Sequence, residues 1–339
     1  MNWLPGNSAR DLTVLGLLLV VAPLPVLGST YYEGVLAHFV IFAMLAVALN
    51  IVFGETDQLF LFMGGLAGIG AYGTALLTDW LGVTAWLTLP VAALFAGLVG
   101  LSVSWISAKR KFTVVLISIL TLNLQFVISE VLVGAREYTG GSTGFSYQYF
   151  SMDAIAETVG VNETLVLYYL MVLLLLALLV GYIALVHSRY GVAFNAIRQD
   201  ELAAASIGVD VVHYKVFAGF LSAFTFGVIG AFYALEAGYV LPSAFSFQTV
   251  DVLVLIILIV GGLRTTLGPV VGAGIIVAIE EMLGSTFTNW RTAIFGALLI
   301  IIFLYFRSGV IPAVDSLRSG RFGRRFGGAE EEPEDEPAD

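Results

Sequence analysis

The 339-residue chain contains no cysteine. A disulfide framework, a thiolate metal site and a cysteine nucleophile are thereby excluded. Histidine is nearly as scarce: His38, His187 and His213 show no metal-ligand spacing and read as solvated or interfacial side chains. Charged residues make up 12% of the chain, against about a quarter in a soluble domain. Lysine occurs at Lys109, Lys111 and Lys215 alone, and the other twelve basic residues are arginine. None of the lysines stands in the G-x-x-x-x-G-K-[S/T] context that cradles a nucleotide phosphate on backbone amides. The chain therefore has no ATPase of its own. No metal site and no nucleic-acid partner are expected.

What is present is apolar. Hydrophobic residues make up 59%, the mean hydropathy is +0.95, and the apolar residues fall in long runs. A membrane helix needs about 20 of them. Candidate spans are 12–28, 35–53, 59–77, 84–106, 112–134, 164–186, 214–239, 250–263, 266–283 and 290–306, about ten segments. The expected fold is an all-α polytopic transmembrane bundle. Segment 250–263 is short, so either it thins the bilayer or Gly261 and Gly262 end a half-helix. The first span reads as a retained helix, because one arginine precedes it and Pro23 and Pro25 interrupt it.

Basic residues mark the cytoplasmic loops. Lys109, Arg110 and Lys111 follow the fourth span, Arg189, Arg198 and Lys215 surround the loop after the sixth, and Arg318, Arg321, Arg324 and Arg325 follow the last. The number of spans between these clusters is even, as a common side requires. Both termini then lie inside the cell membrane, and the loop 135–163 lies outside. Of the net charge of −10, seven acids sit within residues 330–339, leaving about −3 for the body. Residues 1–310 form the membrane domain, and 311–339 a disordered, acidic cytoplasmic tail. An acidic, lysine-poor composition suits a salt-adapted organism.

Ion-coupled transporters commonly keep acids or histidines in mid-membrane. Here His38, Glu130, Glu236, Asp251, Glu280 and Glu281 fall toward span ends, and the deeper polar groups Asn50, Thr121, Asn123 and Gln125 are neutral. The pattern favours an outside energy source, while an ion-coupled secondary transporter using backbone carbonyls stays open.

The stretch 188–215 is too polar to span yet rich in helix formers. Asp200 suits an N-cap for a helix from Glu201, Ala203 and Ala204 extend it, and Gly208 suits its left-handed end. Such a helix fits a partner's groove, or serves as an interfacial connector. Asn195–Ala196–Ile197–Arg198–Gln199–Asp200–Glu201, with Ala203, Ala204 and Gly208, resembles the ATPase-docking loop of ABC importer permeases of the branched-chain amino acid type. Residues 46–54 (AVALNIVFG), Gln58 and GIGAY at 68–72 look like that family's early signature. TGGSTG at 139–144 looks like its external motif, and GGLRTTLGPVVGA at 261–273 like its late one. The resemblance covers about 35–310, and the long loop before the sixth span looks like the M-type subunit.

The resemblance implies a non-enzymatic permease subunit with a cytoplasmic coupling loop (188–213). Its partners would be an H-type permease, two ATPase subunits that hold ATP and magnesium, and an external solute-binding protein. Coupling would rest on Arg198, Asp200, Glu201, Ala203, Ala204 and Gly208. Docking of the binding protein would involve Gly140, Gly141, Ser142 and Thr143. Candidates for the translocation path are Asn50, Gln58, Gly64, Gly68, Thr121, Asn123 and Gln125, although glycines in spans also serve close packing. A helix break is expected at Gly261, Gly262, Gly268 and Pro269.

The family usually has G-Q-L-S-L-G-H-A in its early motif, whereas Gln58 is followed here by Leu59, Phe60, Leu61, Phe62 and Met63. Arg264 stands where the late motif usually has glycine. If 58–64 lines the path, its apolar wall suits leucine, isoleucine or valine. If it faces lipid, it says nothing about the substrate; branched-chain or other apolar amino acids are expected, with urea or short amides as the main rival.

Overall fold

Lipid offers the backbone no hydrogen-bond partner, so apolar runs of this length fold as helices. The computed structural model describes residues 6–23, 29–150, 162–286 and 296. The expected span 290–306 and the tail 311–339 lie outside the described residues, as do 151–161 of the long loop. The helices are α1 (Gly6–Val21), α2 (Thr30–Leu49), α3 (Met63–Leu81), α4 (Ala85–Lys109), α5 (Val114–Gly134) and the single turn α6 (Arg136–Thr139). After the loop come α7 (Glu163–Val186), α8 (Arg189–Gln199), α9 (Glu201–Ser206), α10 (Val211–Ala237), α11 (Val252–Gly261) and α12 (Gly268–Thr286). A widened π-helical turn, Asn50–Gly54, extends α2. A two-residue ribbon pairs β1 (Phe145–Ser146) with β2 (Tyr239–Val240) in antiparallel register.

Five of these helices are long and apolar enough to cross a membrane unaided: Tyr31–Gly54 with its π turn, α4, α5, α7 and α10. The protein is an all-α, multi-pass membrane protein. The centre is α10 packed between α3 and α4, at distances only small residues permit. A Cβ on Gly70 would lie 1.9 Å from the carbonyl oxygen of Gly227, and one on Gly230 would lie 2.0 Å from that of Ala67. The third span's glycines thus serve close packing here.

Helix bounds differ from the hydropathy reading at three places. The first helix stops at Val21, just before Pro23. The third span starts at Met63, not 59, because the chain runs non-helically from Asp57 to Phe62. The segment 250–263 falls short of a full span: α11 has 10 residues, and even with the π turn Phe247–Asp251 that runs into it the helix Phe247–Gly261 is shorter than the roughly 20 residues a membrane helix needs. The chain reaches it from α10 through β2, a 3-10 turn at Pro242–Phe245 and a π turn at Phe247–Asp251. Phe245 packs edge-on against Tyr72 and Tyr233, with ring centroids at 6.2 and 5.6 Å, which holds this non-helical stretch between α3 and α10.

The late start of α3 leaves backbone amides without helical partners. Side chains distant in sequence supply them. Thr121 Oγ1 accepts from the Leu61 amide (3.0 Å), Asp251 Oδ1 from Met63 (2.6 Å), Asp251 Oδ2 from Gly64 (3.3 Å) and Gln125 Oε1 from Gly65 (2.6 Å). The Gln125 amide nitrogen donates to the Phe245 carbonyl at 2.7 Å, tying the two broken segments together. Asp251 is thus not a residue at a solvated span end, as its sequence position suggested, but a fully buried cap of α3. Asp251→Ala orphans two amides at about 1–3 kcal/mol each and should lower the thermal midpoint of the detergent-solubilised protein. Asp251→Asn keeps an acceptor for Met63 and should lose clearly less; equal losses would show that the hydrogen bonds are not what matters.

Candidate functional site

Three N-caps in succession shape the loop 188–210. Ser188 Oγ accepts from the Tyr190 amide (3.1 Å) and starts α8. Asp200 Oδ1 accepts from Leu202 and Ala203 (2.8 and 3.0 Å) and starts α9. Asp210 Oδ1 accepts from His213 (3.0 Å) and starts α10. Each satisfies amides that a helix start leaves open. Gly191 allows the fold-back onto α7, since a Cβ there would lie 1.9 Å from the Val186 carbonyl oxygen. Tyr190 stacks on Phe217 and Phe194 meets Tyr214 edge-on, which fastens α8 to α10. Ala204 is buried, whereas Leu202 and Ile207 are 71% and 76% exposed. Gly208 follows with φ 90. The loop is therefore a braced pair of helices presenting apolar side chains outward. The sequence reading found α9 through its Asp200 cap and did not resolve α8. The buried positions Ala193, Phe194 and Ile197 are its signal, three residues on one helical face.

Inward, the loop is tied to the early motif. Arg198 lies 3.9 Å from Glu55 Oε2. Lys215 is paired with Glu201. The Gln58 amide nitrogen donates to the Lys215 carbonyl (3.0 Å) and to the Thr56 hydroxyl (2.9 Å). A cleft of about 320 Å³ opens among these groups, lined by Thr56, Asp57, Phe112, Arg198, Glu201 and Lys215. The basic loops after α4 and α7 thus meet at one end of the bundle.

The late motif closes on this same end. α11 stops at Gly261, Gly262 takes φ 113, and α12 restarts at Gly268 with Pro269 in its first turn. Asn50 Oδ1 accepts from the Arg264 amide (2.9 Å), and Asn50 Nδ2 donates to the Thr265 carbonyl (3.2 Å). Arg264 has φ 64, the left-handed region that glycine occupies without cost. This is the physical reason a glycine fits that position. Arginine holds it while its guanidinium donates to the Gly54 carbonyl (2.8 Å) and to Asp57 Oδ1 (3.0 Å).

The path candidates divide by location. Asn50 and Gln58 lie in the ties at the basic end. Gly64, Gly68, Thr121 and Gln125 meet where α3 begins, with Gly68 against Leu132 and Phe245. Asn123, two residues from both Thr121 and Gln125, is exposed on another face of α5 and donates to the Ile119 carbonyl (2.7 Å). Phe60, Phe62 and Met63 are fully buried, and the two phenyl rings meet edge-on at 5.1 Å. Leu59 beside them and Leu61 between them are half-buried. At the opposite end, Gly140, Gly141 and Gly144 have φ 71, 60 and 64. They make a tight turn with Ser142 and Thr143 exposed. The Tyr239 hydroxyl donates to the Thr143 carbonyl (2.7 Å) and anchors that turn to β2.

Arg264→Gly and Arg264→Ala delete the same side-chain contacts, yet alanine stays strained at this φ. The glycine variant should be the more stable by about 1 kcal/mol, read from thermal unfolding in detergent. Equal stability of the two would show that the turn relaxes.

The model of a family described as branched-chain amino acid transport system / permease component matches residues 31–303. The high-affinity branched-chain amino acid transport system permease proteins LivM of Salmonella typhimurium and Escherichia coli are each 26% identical over 328 residues, covering 91% of this chain and 76% of theirs. A probable branched-chain amino acid transport permease protein, LivH of Methanocaldococcus jannaschii, is 27% identical over 274 residues, covering 78% of this chain and 82% of that protein. No solved structure matches the chain. With a match that begins at the head of α2 and takes in both glycine motifs and the capped loop between them, the chain belongs to the family of branched-chain amino acid transport system permease components.

Proposed function

We propose that this chain is the membrane-spanning permease subunit of an ATP-driven importer of branched-chain amino acids. The family match across residues 31–303 carries the proposal, and the relatives named for branched-chain amino acid transport support the substrate class. The chain performs no chemistry on the solute. Separate ATPase subunits bind ATP and magnesium, an H-type permease completes the translocation path, and an external binding protein delivers the amino acid.

The side of each loop follows from charge. Lys109, Arg110, Lys111, Arg189 and Arg198 support a cytoplasmic basic end by the positive-inside rule, which would put both termini inside. The Gly140–Thr143 turn then faces outward, toward the binding protein. The loop 188–210 is the ATPase contact. Its exposed Leu202 and Ile207 provide apolar anchors, and Ala203 and Ala205 allow a partner's backbone to approach closely. Three N-caps make the loop stiff, so a push on α9 moves the whole pair of helices. ATP binding drives transport only if the ATPases hold one permease conformation more tightly than another.

Arg198→Glu with Glu201→Arg reverses the charges facing Glu55 and Lys215 while leaving the apolar spans intact. The variant should insert normally, lose copurification of the ATPases, and show uptake reduced by about tenfold or more. Normal uptake with bound ATPases would overturn the loop's assignment.

A further inference from the structure

Glu55 follows the π turn of α2 and is 5% exposed. A buried carboxylate persists only with partners for its charge and its lone pairs. Its Oε1 accepts from the Tyr182 hydroxyl at 2.7 Å, and its Oε2 faces Arg198 at 3.9 Å. Among the described residues, Arg198 is the one cation paired with it. The Tyr182 hydroxyl in turn accepts from Asn50 Nδ2 at 3.0 Å. Asn50 holds the turn between α11 and α12 through Arg264 and Thr265. Hydrogen bonds therefore run from Glu55 through Tyr182 of α7 and Asn50 to the turn between α11 and α12, and an ion pair joins Glu55 to the loop. Glu55, Tyr182 and Asn50 are all buried, so in this conformation water does not compete for their partners.

We propose that Glu55 and Tyr182 are positioning residues that transmit the placement of the loop 188–210 to the turn joining α11 and α12. The inference rests on the docking role of that loop. Arg198 is carried by α8 and moves with it, whereas Glu55 is held by α2. Displacing α8 withdraws the cation from Glu55 and leaves a buried carboxylate without its counter-charge. The Tyr182 hydroxyl must then reorient toward or away from Glu55. That change alters its acceptance from Asn50, and with it the grip of Asn50 on the Arg264 amide and Thr265 carbonyl. Two elements distant in sequence are thereby biased together, which is what coupling between sites requires.

The test uses the complete assembly of permease pair, ATPases and binding protein in proteoliposomes. The variants are Tyr182→Phe, Glu55→Gln, Arg198→Ala, Arg198→Lys and the double Arg198→Ala/Tyr182→Phe, and the readout is leucine imported per ATP hydrolysed. Tyr182→Phe keeps the ring, and Glu55→Gln keeps an acceptor for the Tyr182 hydroxyl while removing the charge. Each should lower the leucine-to-ATP ratio by roughly fivefold or more, with the ATPases still copurifying. Arg198→Lys should retain more of the ratio than Arg198→Ala. The double variant should be no worse than Arg198→Ala alone, because both changes interrupt one chain.

A normal ratio in Tyr182→Phe, or losses that multiply in the double variant, overturns the relay. Failure of both Tyr182→Phe and Glu55→Gln to assemble overturns it as well, since the chain would then serve folding. ATPases that stay bound to the charge-reversed loop would instead refute the docking role and the relay with it. A relay that fails while docking is intact leaves the permease assignment standing.

Discussion

A backbone amide inside a membrane has no water to turn to, and every interruption of a helix must be answered by a side chain. This chain interrupts its helices at 57–62, at 238–251 and at 262–267. Buried polar side chains answer these breaks, and Gln125 Nε2 serves the second by donating to the Phe245 carbonyl. Thr121, Gln125 and Asp251 serve the start of α3, and Asn50 serves the turn before α12. The neutral polar groups that could have signalled a solute path are therefore engaged first in holding irregular backbone. Glycines follow from the same demand. A side chain at Gly64 would meet the Phe245 carbonyl and Asp251, the groups that close the break.

The breaks are also what make the bundle suited to transport. The two ends of α11 are fastened by identifiable hydrogen bonds rather than by a continuous helix. At one end Asp251 and Gln125 link it to α3 and α5; at the other Asn50 and Arg264 link it to α2. The capped loop 188–210 touches the second set through Arg198 and Glu55. The capped loop and the hydrogen bonds that hold the turn before α12 thus meet at the basic end.

Much of this was legible in the sequence, and the remainder has a common reason for being hidden. Long apolar runs disclosed the spans, Asp200 and Gly208 disclosed α9, and the glycine pairs disclosed the break after α11. All of these are local signals, readable within a single segment of the chain. Asp251 and Met63 are 188 residues apart, and Gln125 and Gly65 are 60 apart. No periodicity connects such partners, so Asp251 read as a residue at a span end and Met63 as mid-helix. Thr121 and Gln125, four residues apart, share a face of α5, and Asn123 between them does not. That spacing was available and separates the buried pair from the exposed residue. Arg264 stood out only as a departure from a usual glycine; its φ and its contacts to Gly54 and Asp57 make it a structural clamp.

Transport itself is the most direct test. The permease, with its second subunit, ATPases and binding protein, is reconstituted in proteoliposomes, and labelled leucine uptake is followed with and without ATP on the ATPase side. The account predicts ATP-dependent accumulation of leucine, competed by isoleucine and valine and not by urea. Accumulation driven by a sodium or proton gradient without ATP, or competition by urea and not by valine, would contradict it.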